Sequence, residues 1–168
     1  MRGIGKGCFM KKVNSSMQLT RAADYAVRVM VHMATLPDRE RAMLPDLAEA
    51  TDAPESFLSK VLQALTRSKM VSSRRGKSGG FLLLPRGRQT SMRDVIEAID
   101  GPVRLNRCLT AGRSCTRKTW CQAHPVWLQA QEAMMQVLGE AQIAELAAQS
   151  TCKKPGKLTT LSGKKAKP

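Results

Sequence analysis

A chain of 168 residues is the size of one domain, or of a small domain with a helical appendage, which argues against a multi-domain enzyme. Its formal charge of +15, from 28 Lys and Arg against 13 Asp and Glu, excludes a binder of cationic partners and favours nucleic acid or another anionic surface. Two His and one Tyr leave few catalytic groups, and five cysteines, an odd number, fit metal or redox chemistry better than a disulfide framework.

Residues 1–16 carry four basic residues and no acid, and read as a disordered basic arm, with Met17 a second candidate start. They lack the apolar stretch of a secretory signal, and no run reaches the ~18 to 20 apolar residues of a membrane span. A cytoplasmic protein with no membrane partner is expected. Residues 17–102 carry the signals of one compact unit. Thr20 is placed to cap a first helix with Ala23, Ala26, Val27, Met30 and Met33 at helical spacing, ending before Pro37. Pro45–Ala50 gives a short second helix, Thr51–Pro54 a turn, and Glu55–Lys69 a third helix with Phe57, Leu58, Val61, Leu62 and Leu65 on one face.

This is the pattern of a helix-turn-helix, whose second helix enters the major groove through its N-terminal residues, here Ser56, Phe57, Ser59 and Lys60. Met70–Ser73, the basic glycine-rich turn Arg74–Gly80 and Phe81–Leu84 then spell strand, turn, strand, a β-wing. Residues 56–93 hold nine Lys or Arg and no acid, among them Arg67, Arg74, Arg75 and Lys77, whereas an ordinary solvated face mixes both signs. Double-stranded DNA is the partner this implies. Gly76–Lys77–Ser78 is not the end of a phosphate loop, because Val71 stands where that motif needs glycine and a strand follows, not a helix. The fold class expected is mainly α: a winged helix-turn-helix DNA-binding domain with a small β-wing and a long dimerisation helix.

Ser91 opens a further helix with Met92, Val95, Ile96 and Ile99 inward, closed by Asp100–Gly101–Pro102. Residues 103–124 form a long loop, and loops of that length are usually functional. Pro125 starts the long helix of residues 125–149, with Trp127, Ala130, Met134, Val137 or Leu138, and Ala141 near coiled-coil spacing and a break expected at Gly139. A second copy would cover that stripe and place two recognition helices on a palindrome. Residues 150–168, with six Lys and no acid, read as a disordered basic tail.

Cys108, Cys115 and Cys121 all lie in the loop, spaced Cys-x6-Cys-x5-Cys and followed by His124, while Cys8 and Cys152 fall in the arms and are set aside. Thiolates suit iron–sulfur clusters or zinc, and Arg104, Arg107, Arg113, Arg117 and Lys118 would stabilise them. A Cys3His set would close a zinc site, but zinc sites build on close Cys pairs, so the wide spacing favours an iron–sulfur cluster with one non-thiolate ligand.

Over residues 17–148 the chain resembles the winged-helix repressors typified by the iron–sulfur cluster regulator IscR and the nitric-oxide-sensing repressor NsrR. The resemblance rests on Met17–Thr20 with Asp24–Tyr25–Ala26, on Leu58–Leu65, on Val71–Gly76 with Gly79–Leu83, and on three cysteines before an amphipathic helix. It implies a homodimer with one 2Fe-2S or 4Fe-4S cluster per subunit in the cysteine loop, near the first helix of the partner. His124 matches the histidine of IscR-like members and Asp24 the aspartate that NsrR-like members supply from the partner subunit, so the fourth ligand stays open. Two departures stand out: the gap from Cys108 to Cys115 is one residue longer than in IscR-like members, and Lys77–Ser78 replaces the usual pair before the wing glycines.

The function expected is a regulator, in the first place a repressor, of palindromic operators, gated by a cluster that senses nitric oxide, redox or iron–sulfur status. The alternatives are a cluster-free thiol or zinc regulator of the same fold, and a small zinc or redox enzyme. Against the enzyme stand the lack of a pocket motif and the few acids and bases near the loop.

Overall fold

The computed structural model describes residues 19–76, 79–110 and 115–150. In chain order the elements are α1 (Arg21–Thr35), α2 (Leu44–Thr51), α3 (Glu55–Arg67), β1 (Val71–Arg74), β2 (Gly80–Leu83), α4 (Pro85–Arg88), α5 (Met92–Asp100), a single 3-10 turn (Arg107–Leu109), α6 (His124–Glu140) and α7 (Ile143–Ala148). Helix α1 is central: Ala23, Ala26, Val29 and Met30 are fully buried, and α2, α3, α5 and α7 all pack on it. It starts where Thr20 predicts, the hydroxyl accepting from the Ala23 amide at 3.2 Å. Thr20 also reaches across the fold, its hydroxyl donating to Asp100 at the end of α5 at 2.6 Å.

Helices α2 and α3 meet at Asp52, whose left-handed backbone (φ 52°) makes the tight turn of a helix-turn-helix. Leu58, Val61, Leu62 and Leu65 anchor α3 in the core. The wing pairs β1 and β2 antiparallel from Val71 opposite Leu83 to Arg74 opposite Gly80. A third short strand is reduced to one residue: Ala42 exchanges both backbone hydrogen bonds with Phe81 at 2.9 Å, tying the wing to the segment before α2.

Helix α5 opens with a complete capping box, Ser91 and Asp94 each satisfying the other's backbone amide. The break after the long helix comes at Ala141, two residues beyond Gly139, because the Ala141 carbonyl accepts from the Met92 amide at 2.8 Å and the Ile143 amide donates to Thr90 at 3.0 Å. Ile143 and Ala147 then enter the core beside α1. Among the described residues no helix is long and apolar enough to cross a membrane. The two basic arms, Cys8 and Cys152 lie outside the described residues.

Candidate nucleic-acid interface and cysteine loop

The core-facing residues of α3 fix what its outer face must carry. Ser56, Lys60, Gln63 and Arg67, spaced four, three and four residues apart, are all exposed and form one stripe opposite the buried leucines. Ser59 is half-buried beside it. Phe57, 37% exposed, is braced from behind by Tyr25 of α1, ring edge to ring face with centroids 5.6 Å apart. Gln63 is not among the residues expected from the sequence, although its place between Lys60 and Arg67 at helical spacing puts it on the same stripe.

Arg74 and Arg75 are exposed on the wing, and Lys77 lies outside the described residues. Two glycines shape the turn. A side chain on Gly79 would strike the Arg74 carbonyl, and Gly80, at φ 107°, would place a Cβ 2.7 Å from the Ala42 carbonyl oxygen. Arg41 adds a further tie, donating to the Gly80 carbonyl at 3.2 Å. Not every cation of residues 56–93 faces outward. Arg88 turns into the fold and donates to the Ala34 and Leu36 carbonyls at the end of α1, both at 2.8 Å, while pairing with Asp38 at 3.0 Å.

The cysteine loop is less irregular than its sequence suggests. Its first residues are held by Gln131 of α6, a side chain only 5% exposed: its Oε1 accepts from the Leu105 amide and its Nε2 donates to the Val103 carbonyl, both at 2.8 Å. Cys108 follows in the 3-10 turn, half-buried; Cys115 is exposed and Cys121 half-buried; all three are free thiols. Trp120, 65% exposed, stacks under the Arg117 guanidinium at 5.5 Å. The loop ends in a tight turn, the His124 amide donating to the Cys121 carbonyl at 3.1 Å, and His124 opens α6.

His124 Nδ1 is buried with no hydrogen-bond partner among the described residues. No protein group competes for that nitrogen among the described residues, and a neutral imidazole with its proton on Nε2 offers a lone pair there, so the donor set of three thiols and one imidazole suits a soft metal centre. The donors are not gathered within bonding range: among the described residues no group of three His, Cys, Asp or Glu forms a metal site, and residues 111–114, between Cys108 and Cys115, lie outside that set. Asp24 stands apart from the cysteines on α1, exposed and paired with Arg28 at 2.8 Å.

Helix α6 has two apolar sides. Gln131 and Met135 are buried on their own domain, and Trp127, Met134 and Leu138 are half-buried. Val126, Ala130, Ala133 and Val137 are all exposed, Val126 and Val137 to 65% each, at alternating spacings of four, three and four. The uncovered heptad stripe therefore shares Ala130 and Val137 with the expected one, and has Val126 and Ala133 where that one has Trp127 and Met134.

A cleft of about 530 Å³ lies between the end of α3, α4 and α5, lined by Met70, Arg86, Gln89, Thr90, Asp94 and Glu97. Its carboxylates are already engaged. Asp94 is held below the usual carboxylate range, first by the Ser91 hydroxyl and then by the Ser91 amide and Thr90, against the opposing effect of burial. Glu97 lies 3.6 Å from Arg93. Among the described residues no thiol or imidazole lines the cleft, and the one hydroxyl there, that of Thr90, donates to Asp94, so this lining forms no nucleophile–base pair.

The family described as Rrf2, iron-dependent transcriptional regulator, matches residues 19–149. An HTH-type transcriptional regulator of Mycobacterium tuberculosis is 34% identical over 131 residues, covering 78% of this chain and 81% of that protein. The HTH-type transcriptional regulator IscR of Klebsiella pneumoniae is 30% identical over 130 residues, covering 77% of this chain and 79% of its own. The structure of CymR, the global cysteine regulator of B. subtilis, superposes with a TM-score of 0.64 at 19% identity over 80% of this chain and 99% of that one, which shows the shared fold. With an exposed stripe on α3, a glycine-built basic wing and relatives that are regulators and not enzymes, the chain belongs to the Rrf2 family of winged-helix transcriptional regulators.

Proposed function

We propose that the chain is a cytoplasmic, homodimeric regulator that binds palindromic operators in double-stranded DNA and is gated by an iron–sulfur cluster held in its cysteine loop. The observation that carries the gating is the donor set: three free thiols in one loop that ends at His124, whose buried Nδ1 has no partner among the described residues. Cys108, Cys115 and Cys121 would hold the cluster and His124 Nδ1 would complete it. Asp24 is the weaker fourth donor, since its carboxylate is neutralised by Arg28 at 2.8 Å and would first have to leave that pair. When bound, the cluster supplies an iron whose one nitrogen ligand leaves it open to nitric oxide or oxidants. The residues 17–102 then act as the reader: Arg74, Arg75 and Lys77 of the wing neutralise phosphates, and Ser56, Phe57, Ser59, Lys60 and Arg67 approach the groove. Dimerisation rests on the stripe Val126, Ala130, Ala133 and Val137, which one copy leaves in water.

Anaerobic purification followed by an absorption spectrum and iron and sulfide analysis tests the gating. A coloured protein with sulfide is expected, bleached by Cys108→Ala, Cys115→Ala or Cys121→Ala and unchanged by Cys8→Ala or Cys152→Ala. His124→Ala should shift the spectrum and Asp24→Ala should not. A colourless protein with zinc and no sulfide, or one whose DNA affinity answers only to thiol oxidation, would replace the cluster by the zinc or thiol reading and leave the DNA-binding reading intact.

A further inference from the structure

The loop is fastened to one helix at two places. It departs at Val103 and Leu105, where Gln131 binds both backbone groups, and returns at Cys121, whose carbonyl receives the His124 amide. His124 and Gln131 are seven residues apart on α6, about 10 Å along its axis at 1.5 Å per residue. A buried glutamine whose amide has both its oxygen and its nitrogen on loop backbone, at 5% exposure, is costly to place there unless the bonds are kept. The position could have been filled by leucine or methionine, as Met135 fills the next turn.

We infer that Gln131 is a positioning residue that transmits the state of the cysteine loop to helix α6. Cys108 lies three residues beyond the bonded Leu105, so a change at its thiol acts on a short segment whose near end is fixed to the helix. Because the Gln131 amide grips residues two apart, a twist of that segment cannot be absorbed by one loose bond and is passed to the α6 backbone. The exposed stripe on α6 would then carry it to the second copy. This inference rests on reading the loop as the sensor.

The test uses the full chain carrying Cys8→Ser and Cys152→Ser, with the remaining thiols reduced or alkylated by iodoacetamide. Hydrogen exchange is followed in peptides covering residues 103–110 and 125–140. In the parent protein alkylation should change exchange in both peptides. Gln131→Met fills the same space without either hydrogen bond, and should exchange several-fold faster at residues 103–110 while its 125–140 peptide no longer answers to alkylation. A role confined to stability would lower Tm and leave that answer in place. The inference is overturned if α6 ignores alkylation in the parent protein, or responds equally in the variant. Should Gln131→Met fail to fold, Gln131→Glu, which keeps the acceptor for Leu105 and repels the Val103 carbonyl, gives the same comparison with a partial loss expected. Cluster content and gel-shift affinity, measured in parallel, report on the functional reading separately: transmission in a colourless protein keeps the inference, and a cluster-bearing protein with an unaltered variant overturns it alone.

Discussion

Gln63 stands between two cations on the outer face of α3, and its amide can both donate and accept. A glutamine at a base edge can pair bidentately with adenine, a contact of about 1–3 kcal/mol of discrimination. Gln63→Ala should therefore weaken binding to the preferred operator and flatten its preference at one base pair, while binding to unrelated duplex is unchanged; affinities across a set of single-site operator variants check this. Ser91 and Asp94 act at the same scale on stability. The carboxylate is held below its ordinary 3.8, so its contribution is complete above that value and is lost as pH falls through the lowered one. Ser91→Ala should cost about 1 kcal/mol at neutral pH and reduce the loss of Tm on acidification, measured by thermal melts from pH 7 to pH 3.

Elements were legible where a local rule governs them. Thr20 and Ser91 cap helices through contacts three residues away, and α3 separates cleanly into leucines within and polar residues without, so both could be placed from spacing alone. The third strand could not, because it consists of Ala42 reaching Phe81 across 39 positions of sequence. Arg88 reads as one more basic residue until the fold brings the open end of α1 to it. Helix α6 was legible only in part: Val126, Trp127, Leu128, Ala130, Ala133, Met134, Met135, Val137 and Leu138 make it apolar on more than one side, and the side that faces its own domain carries Gln131, whose partners lie in the loop. In the proposed dimer the exposed stripe gives a sharper expectation. Ala133→Glu would bring like charges together at a two-fold interface, and sedimentation should show a monomer that has lost its preference for palindromes over half-sites. Leu128→Glu, exposed but off the stripe, should stay dimeric.

Across the whole molecule the charge is unevenly divided, ten of the fifteen net positive charges lying in residues 1–16 and 151–168. Nonspecific affinity follows the number of phosphates neutralised and sequence preference does not. Removing both arms should lower affinity for random duplex and flatten the slope of log K against log salt, with the ratio of operator to random affinity preserved or increased; salt titrations by fluorescence anisotropy measure all three. Loss of dimerisation in the truncated protein would contradict the assignment of pairing to α6.

The short pairing of residues 141–143 with 90–92 has a mechanical consequence. It bolts the far end of the long helix to the root of α5, and Ile143 behind it is sunk in the same core that seats the recognition helix. A rod fixed in this way cannot swing freely; it moves its mount with it. Rotation of α6 about its own axis is thereby geared to rotation of the body that carries α3 and the wing, and in the proposed dimer the angle between the two bodies would follow the rotation of α6. Under the proposed function, a chain that stopped before Ile143 would still pair through α6, but that helix would turn idly and operator binding would no longer follow the state of the thiols.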